Sequence, residues 1–223
     1  MTGAQGPGRA RVAILISGRG SNMAALIEAA RAEGYPAQIV LIVSNEADAA
    51  GLATAEASGI ETATVAHRAF ADRDAFERAL DERLREARAD IVCLAGFMRV
   101  LTPPFVERWT GRLINIHPSL LPAYRGLHTH ARALADGVRI HGCTAHFVVP
   151  ELDAGPIIAQ AAVSVLAGDH EASLGSRVLA QEHIVYPMAL RLVASGAARL
   201  EGGRCVLSGG VGGPERALLV PPP

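Results

Sequence analysis

The sequence contains no lysine, and this absence removes several kinds of site. All 21 basic residues are arginine, and 22 acidic residues balance them to a formal net charge of -1. Neither a Schiff-base lysine nor the lysine of a Walker-type phosphate loop is available. The near-neutral charge also provides no basic stripe for counterion release from a polyanion, so we expect no nucleic-acid partner.

Cysteines and long apolar runs are also scarce. Cys93, Cys143 and Cys205 lie far apart, which fits reduced thiols and favours neither disulfides nor a paired metal motif. Apolar runs such as residues 39–43 are much shorter than the ~20 residues that span a bilayer, and the run at 12–16 is too short for a signal-peptide core. We therefore expect a cytoplasmic protein that does not bind a membrane.

Alternating strand and helix patterns predict an α/β fold with a doubly wound, mostly parallel sheet, because the strands are continuously apolar and helices lie between them. The predicted strands are residues 11–17, 39–44, 61–65, 91–95, 113–116, 142–149 and 156–165. The predicted helices are residues 23–32, 47–58, 72–87, 129–136 and 171–195. We expect a single domain over 10–200, a disordered extension at 1–9, and a Gly/Pro-rich tail at 201–223 with a hairpin around Gly202.

A glycine loop follows the first predicted strand, with Gly18 and Gly20 ahead of Ser21 and Asn22. Glycines allow a tight turn there, and the backbone amides at the start of the next helix favour an anion, so the loop is a candidate phosphate site. It is not a dinucleotide fingerprint, because the third glycine of that motif is missing. The alternative is a plain strand-to-helix turn, and the loop alone does not decide between the two.

Asn115 and His117 are two residues apart at the end of a predicted strand, so their side chains project from one face. An amide donor and an imidazole are suited to stabilising an oxyanion on an attacked carbonyl. Asp153, in a turn-rich loop, could orient the imidazole and favour its protonated form. The alternatives are a buried structural histidine and a simple Asx turn, but the pair at a strand's carboxyl end favours an active site.

A metal site is not expected. His128, His130, His141 and His146 could gather in space, but no pair has the spacing of a zinc-binding helix and no cysteine pair supports them.

At these motifs the sequence resembles the phosphoribosylglycinamide formyltransferases, a family of folate-dependent formyltransferases. The resemblance covers residues 11 to about 196. Its motifs are SGRGSN at 17–22, LAGFMRVL at 94–101, NIHPSLLP at 115–122, GLHTH at 126–130, HFV at 146–148, LDAGP at 152–156 and QEH at 181–183.

The resemblance implies a Rossmann-like fold with a phosphate-binding half at about 10–108 and a folate-binding, catalytic half at about 109–200. It implies that the formyl group of the co-substrate 10-formyltetrahydrofolate is transferred to 5′-phosphoribosylglycinamide in purine synthesis. The reaction is expected to need no metal, and the protein is expected to be a monomer or a homodimer. The implied ribonucleotide-binding residues are Gly20, Ser21, Asn22, Met23, Ala24 and Glu182. The implied folate-binding residues are Arg73, Met98, Arg99, Val100, Leu101 and Asn115. The implied catalytic residues are Asn115, His117 and Asp153.

Some positions depart from the family pattern. Arg19 replaces a residue that is often asparagine, and Ala123 and Arg125 differ from the residues usual before Gly126. The Arg125-Gly126 pair is similar to the methionyl-tRNA formyltransferases. Three alternative functions therefore remain: another formyltransferase, a formyltetrahydrofolate hydrolase, and a nucleotide-binding module that catalyses no reaction. The unchanged Asn115, His117 and Asp153 favour an enzyme.

Overall fold

The structure is a computed structural model that describes residues 8–208 and 220. Its strands are β1 (Ala10–Ile16), β2 (Ala37–Ser44), β3 (Thr62–Thr64), β4 (Ile91–Leu94), β5 (Leu113–His117), β6 (Ile140–Phe147), β7 (Ile157–Ser164), β8 (Ala198–Glu201) and β9 (Arg204–Leu207). Its α-helices are α1 (Ser21–Ala30), α2 (Ala50–Ala57), α3 (Arg73–Glu86), α4 (Pro103–Arg108), α5 (Thr129–Ala135) and α6 (Glu171–Ala194). A 3₁₀ turn spans His67–Ala69.

Seven strands form one sheet in the order β3-β2-β1-β4-β5-β6-β7. The strands β1 to β5 pair in parallel, whereas β6 is antiparallel to both β5 and β7. The predicted doubly wound, mostly parallel sheet is therefore confirmed. The strand order reverses between β1 and β4, and such a reversal opens a crevice at the carboxyl ends of the two strands.

Each face of the sheet has its own apolar core, and β1 shows how the sequence builds both. Val12, Ile14 and Ile16 pack with α1 and α6 on one face, while Ala13 and Leu15 pack with α3 and α4 on the other. Because successive strand residues point to opposite faces, a strand covered on both sides must be apolar at every position. This explains why residues 12–16 of β1 are apolar without interruption.

The last long helix is fixed to the middle of the sheet by a buried tyrosine. The Tyr186 hydroxyl lies 2.9 Å from the carbonyl oxygen of Leu94 and 3.1 Å from that of Ile114. These two carbonyls belong to β4 and β5, so α6 is held close to the crevice that the two strands border.

The sequence did not predict one helix of the fold, whereas it did predict the small hairpin near the end of the described residues. The helix α4 was not expected, because Pro103 and Pro104 look like a break, yet proline is favoured in the first turn of a helix, where its missing N–H is not needed. The hairpin expected around Gly202 is present and is formed by β8 and β9. Residues 1–7 and the Gly/Pro-rich segment from 209, apart from Val220, lie outside the described residues.

No helix within residues 8–208 is both long enough and apolar enough to cross a bilayer.

Candidate active site

A cavity of about 910 Å³ lies at the crevice, against the carboxyl ends of β4 and β5. Its walls come from the loops that follow β1, β4 and β5, from the loop between β6 and β7, and from α6. A smaller cavity of about 210 Å³ adjoins it at the glycine loop. The two cavities share the lining residues Arg19, Asn22, Gly96 and Met98.

The glycine loop has a backbone that only glycine accommodates well. Gly20 has a φ of 73°, and a Cβ atom there would lie 3.0 Å from Met23 Cε and 3.1 Å from Gly51 Cα. The Gly51 N–H donates to the carbonyl of Gly18 at 3.0 Å, which holds α2 against the loop. No side chain in the described part of the chain caps α1. The first-turn amides of α1 are therefore left for a ligand.

A buried carboxylate borders both the loop and the larger cavity. The side-chain amide of Asn22 donates to Glu182 Oε2 at 2.6 Å, and both residues are almost fully buried. Burial raises the pKa of Glu182, while the Asn22 amide and the nearby His183 and His117 act in the opposite direction. The Oδ1 atom of Asn22 is buried and finds no donor among the described residues. This acceptor is therefore available to a bound molecule.

His117 is held between a carbonyl and a carboxylate. Its Nε2 atom donates to the carbonyl of Tyr124 at 2.9 Å, and its Nδ1 atom lies 3.4 Å from Asp153 Oδ2. The Asp153 carboxylate in turn accepts the Gly126 N–H at 2.8 Å. Each ring nitrogen therefore faces an oxygen atom, and these two contacts fix the orientation of the imidazole in the wall of the larger cavity.

His146 supports Asn115, a role that was not predicted from the sequence. It lies directly opposite Asn115 in the antiparallel register of β5 and β6. Burial lowers the pKa of His146, and the neutral ring donates from Nδ1 to the carbonyl of Phe147 at 2.8 Å. Its Nε2 atom then accepts from the Asn115 amide nitrogen at 3.3 Å. One N–H of Asn115 is thus held in place, and the other has no partner among residues 8–208 and is available to the cavity.

The loop after His117 is pinned from β6. The buried Thr144 hydroxyl donates to the Ser119 carbonyl at 2.7 Å and accepts the Leu121 N–H at 3.0 Å. Asp153, on the facing loop, has a φ of 48°, an uncommon conformation for a residue other than glycine. Both loops are therefore held in one arrangement around the imidazole.

The structure brings most of the predicted residues together. Asn115, His117, Asp153, Glu182 and all four residues from Met98 to Leu101 line the larger cavity, and Gly20, Ser21 and Asn22 line the smaller one. Met23 is buried in the core, so any contact from it would come from the backbone, whereas Ala24 is partly exposed in the first turn of α1. Arg73 is exposed at the start of α3 and lines neither cavity.

Groups of three or more metal-binding side chains do not occur among residues 8–208. His130 and His141 do meet, with Nδ1 and Nε2 at 3.2 Å, and burial lowers the pKa of both rings. They form a pair without a third ligand. The absence of a metal stays a prediction.

Comparison with known proteins identifies the family. The family model described as formyl transferase matches residues 10–190, so the chain belongs to the formyl transferase family. The resemblance predicted from the motifs is confirmed.

Several relatives have names that specify a type of formyltransferase. The chain is 46% identical over 198 residues to a protein of Escherichia coli named phosphoribosylglycinamide formyltransferase, covering 89% of this chain and 93% of the relative. It is 52% identical to the trifunctional purine biosynthetic protein adenosine-3 of Bos taurus, of which it spans only about a fifth. The crystal structure of glycinamide ribonucleotide transformylase 1 from Symbiobacterium toebii matches with a TM-score of 0.87 at 44% identity, covering 89% of this chain and 94% of that one.

Proposed function

We propose that this chain transfers the formyl group of 10-formyltetrahydrofolate to the amine of 5′-phosphoribosylglycinamide. The products are formylglycinamide ribonucleotide and tetrahydrofolate. The observation that carries the proposal is the meeting of Asn115, His117 and Asp153 in a cavity that adjoins an uncapped helix start. Oxyanion donors and an anion site a short distance apart suit an acyl transfer to a phosphorylated substrate.

In the proposed reaction the glycinamide nitrogen bonds to the formyl carbon, and the bond from that carbon to N10 of the folate breaks. The formyl oxygen carries negative charge in the tetrahedral intermediate. The free N–H of Asn115 and a proton on His117 Nδ1 are the donors available to it. Asp153 stabilises the imidazolium across 3.4 Å. One proton leaves the attacking nitrogen and one reaches N10, and the Asp153 carboxylate is the base in reach of this transfer.

The rim of the larger cavity offers an apolar surface to the folate. Met98, Val100, Leu127 and Leu152 all line the cavity, and each side chain is more than half exposed. Exposed apolar side chains that cluster at a cavity mouth are typical of a ligand-binding surface. We propose that the ring system of the folate covers these side chains, with Arg99 beside them.

The test is a formyl-transfer assay with the purified chain, the ribonucleotide and 10-formyltetrahydrofolate, followed by mass spectrometry of both products. We expect the formylated ribonucleotide and tetrahydrofolate in equal amounts. Omitting the ribonucleotide separates the alternatives, because a hydrolase would release formate at the same rate without it. A chain that binds the ribonucleotide but never forms product would be a binding module, and the proposal would then be wrong.

A further inference from the structure

Arg19 occupies the junction between the two cavities. It lies in the glycine loop between Gly18 and Gly20, its side chain is exposed, and it lines both the larger and the smaller cavity. No carboxylate in the described part of the chain lies within ion-pair distance of its guanidinium. The side chain is therefore available to a ligand in either cavity.

Arg19 is the single charged residue that lines the smaller cavity. The other lining residues are Ser17, Gly18, Gly20, Ser21, Asn22, Ala95, Gly96 and Met98. A phosphate monoester carries between one and two negative charges at neutral pH. The start of α1 supplies roughly half a positive charge, which leaves most of that charge uncompensated. Since the sequence has no lysine, only arginine could balance it here at every pH.

A second observation also indicates a ligand in the smaller cavity. Asn22 is 9% exposed and lines this cavity, and its Oδ1 atom has no partner among the described residues. A buried acceptor without a donor is costly, so it is expected to meet a hydroxyl or N–H of a bound molecule. A phosphate with one protonated oxygen and a ribose hydroxyl both satisfy this requirement.

We propose that the Arg19 guanidinium contacts the 5′-phosphate and selects the phosphorylated substrate over the corresponding nucleoside. This inference rests on the proposed function, since it assigns a specificity-determining residue to the same site. A guanidinium forms two parallel hydrogen bonds to phosphate oxygens, which neither asparagine nor lysine reproduces. Because Arg19 is exposed, its contribution is moderate and depends on salt.

The experiment combines two enzymes with two substrates. Wild type and Arg19→Asn are assayed for formyl transfer to the ribonucleotide and to the glycinamide riboside that lacks the phosphate. We expect Arg19→Asn to raise the KM for the ribonucleotide about tenfold, with kcat within about twofold of wild type. The kcat/KM for the riboside and the KM for the folate stay unchanged. Arg19→Lys recovers part of the loss, and the loss shrinks as salt rises from about 50 to about 500 mM.

Arg31→Asn is the matched control, because Arg31 is exposed at the opposite end of α1. It removes the same charge, and no change in any of these constants is expected. A loss of equal size on both substrates, or no loss on either, would overturn the role of Arg19 while leaving the transferase intact. Calorimetric binding of the ribonucleotide to wild type and Arg19→Asn gives a readout that does not need turnover. Equal affinity, or no binding to either, would also overturn the inference.

Discussion

Asn115→Ala tests the proposed chemistry most directly, because the two hydrogens of the Asn115 amide have different roles. One is available for catalysis, and the other contributes to stability. The amide nitrogen of Asn115 holds one hydrogen on His146 Nε2 at 3.3 Å and leaves the second to the cavity. Removing one oxyanion donor typically lowers turnover by about 100-fold to 1,000-fold. We expect a loss of that size in kcat, with little change in the KM of either substrate.

The same substitution also leaves His146 Nε2 without its donor. His146 is 2% exposed but lines the larger cavity, so water from the cavity replaces at most part of the lost hydrogen bond. A buried acceptor without a partner costs about 1 to 3 kcal/mol. For a domain of this size each kcal/mol corresponds to a fall of about 2 to 4 °C in Tm, so we expect Asn115→Ala to melt roughly 2 to 12 °C lower.

A control for this destabilisation is Tyr35→Phe. The Tyr35 hydroxyl donates to the Pro187 carbonyl at 2.7 Å, and Tyr35 lines neither cavity. Its loss also orphans a partly buried acceptor, so Tm should fall while kcat stays near that of wild type. The assay is steady-state formyl transfer well below both melting temperatures. A folded Asn115→Ala enzyme with nearly normal turnover would refute the assignment of Asn115 as an oxyanion donor.

Four further outcomes follow from other parts of the structure. Gly20→Ala should lower the free energy of unfolding by about 1 to 3 kcal/mol even without ligand, because of its positive φ and its contact with Gly51 Cα; an unchanged thermal melt would contradict this. Glu182→Gln should change the KM for the ribonucleotide more than that for the folate, and equal changes in steady-state assays would count against its role. Burial lowers the pKa of His141 to about 4, so on acidification the unfolded chain takes up a proton before the folded chain does, and the free energy of unfolding falls between about pH 6.5 and about pH 4. Urea unfolding should show a loss of about 2 kcal/mol at about pH 5. His141→Gln should make the free energy of unfolding depend less on pH in this range. Truncation after Ser208 should leave activity and Tm nearly unchanged, and a large fall in Tm would show that the removed segment docks on the domain.

Most of the fold could be predicted because its signals are local. Apolar runs of five to eight residues, separated by helical patterns, define the order of the strands and helices. The same local patterns predict an apolar core on each face of the sheet. The pairing direction of the sixth strand could not be predicted in this way. Residues 141–147 of β6 are all buried, so the strand lacks the regular change between buried and exposed positions that is typical of antiparallel strands. The helix α4 was not predicted because proline is ambiguous in a sequence. It interrupts a helix from within, but it is favoured in a helix's first turn, where Pro103 lies.

The sequence predicted which residues form the site better than it predicted the role of each residue. Gly20 is a case in point, because a glycine in a turn suggests close approach of a ligand, whereas its nearest neighbours are Met23 and Gly51 of the protein itself. A larger residue there would strain the loop with or without substrate. Substitution of Gly20 therefore cannot by itself establish a phosphate site, and Arg19, whose side chain is exposed, is the better probe of the same loop.

The neighbouring strands β5 and β6 each contain two polar residues with one residue between them, and the antiparallel pairing of the strands places these residues opposite each other. Asn115 lies opposite His146, and His117 lies opposite Thr144, so both β5 residues with a proposed chemical role have a polar neighbour on β6. His146 fixes the amide of Asn115, while Thr144 pins the loop that follows His117. Register is fixed by the whole sheet, so neither partnership is visible in one strand alone. The Thr-x-His pattern in a predicted strand is nevertheless a usable signal, because two buried polar residues on one face need partners on the next strand.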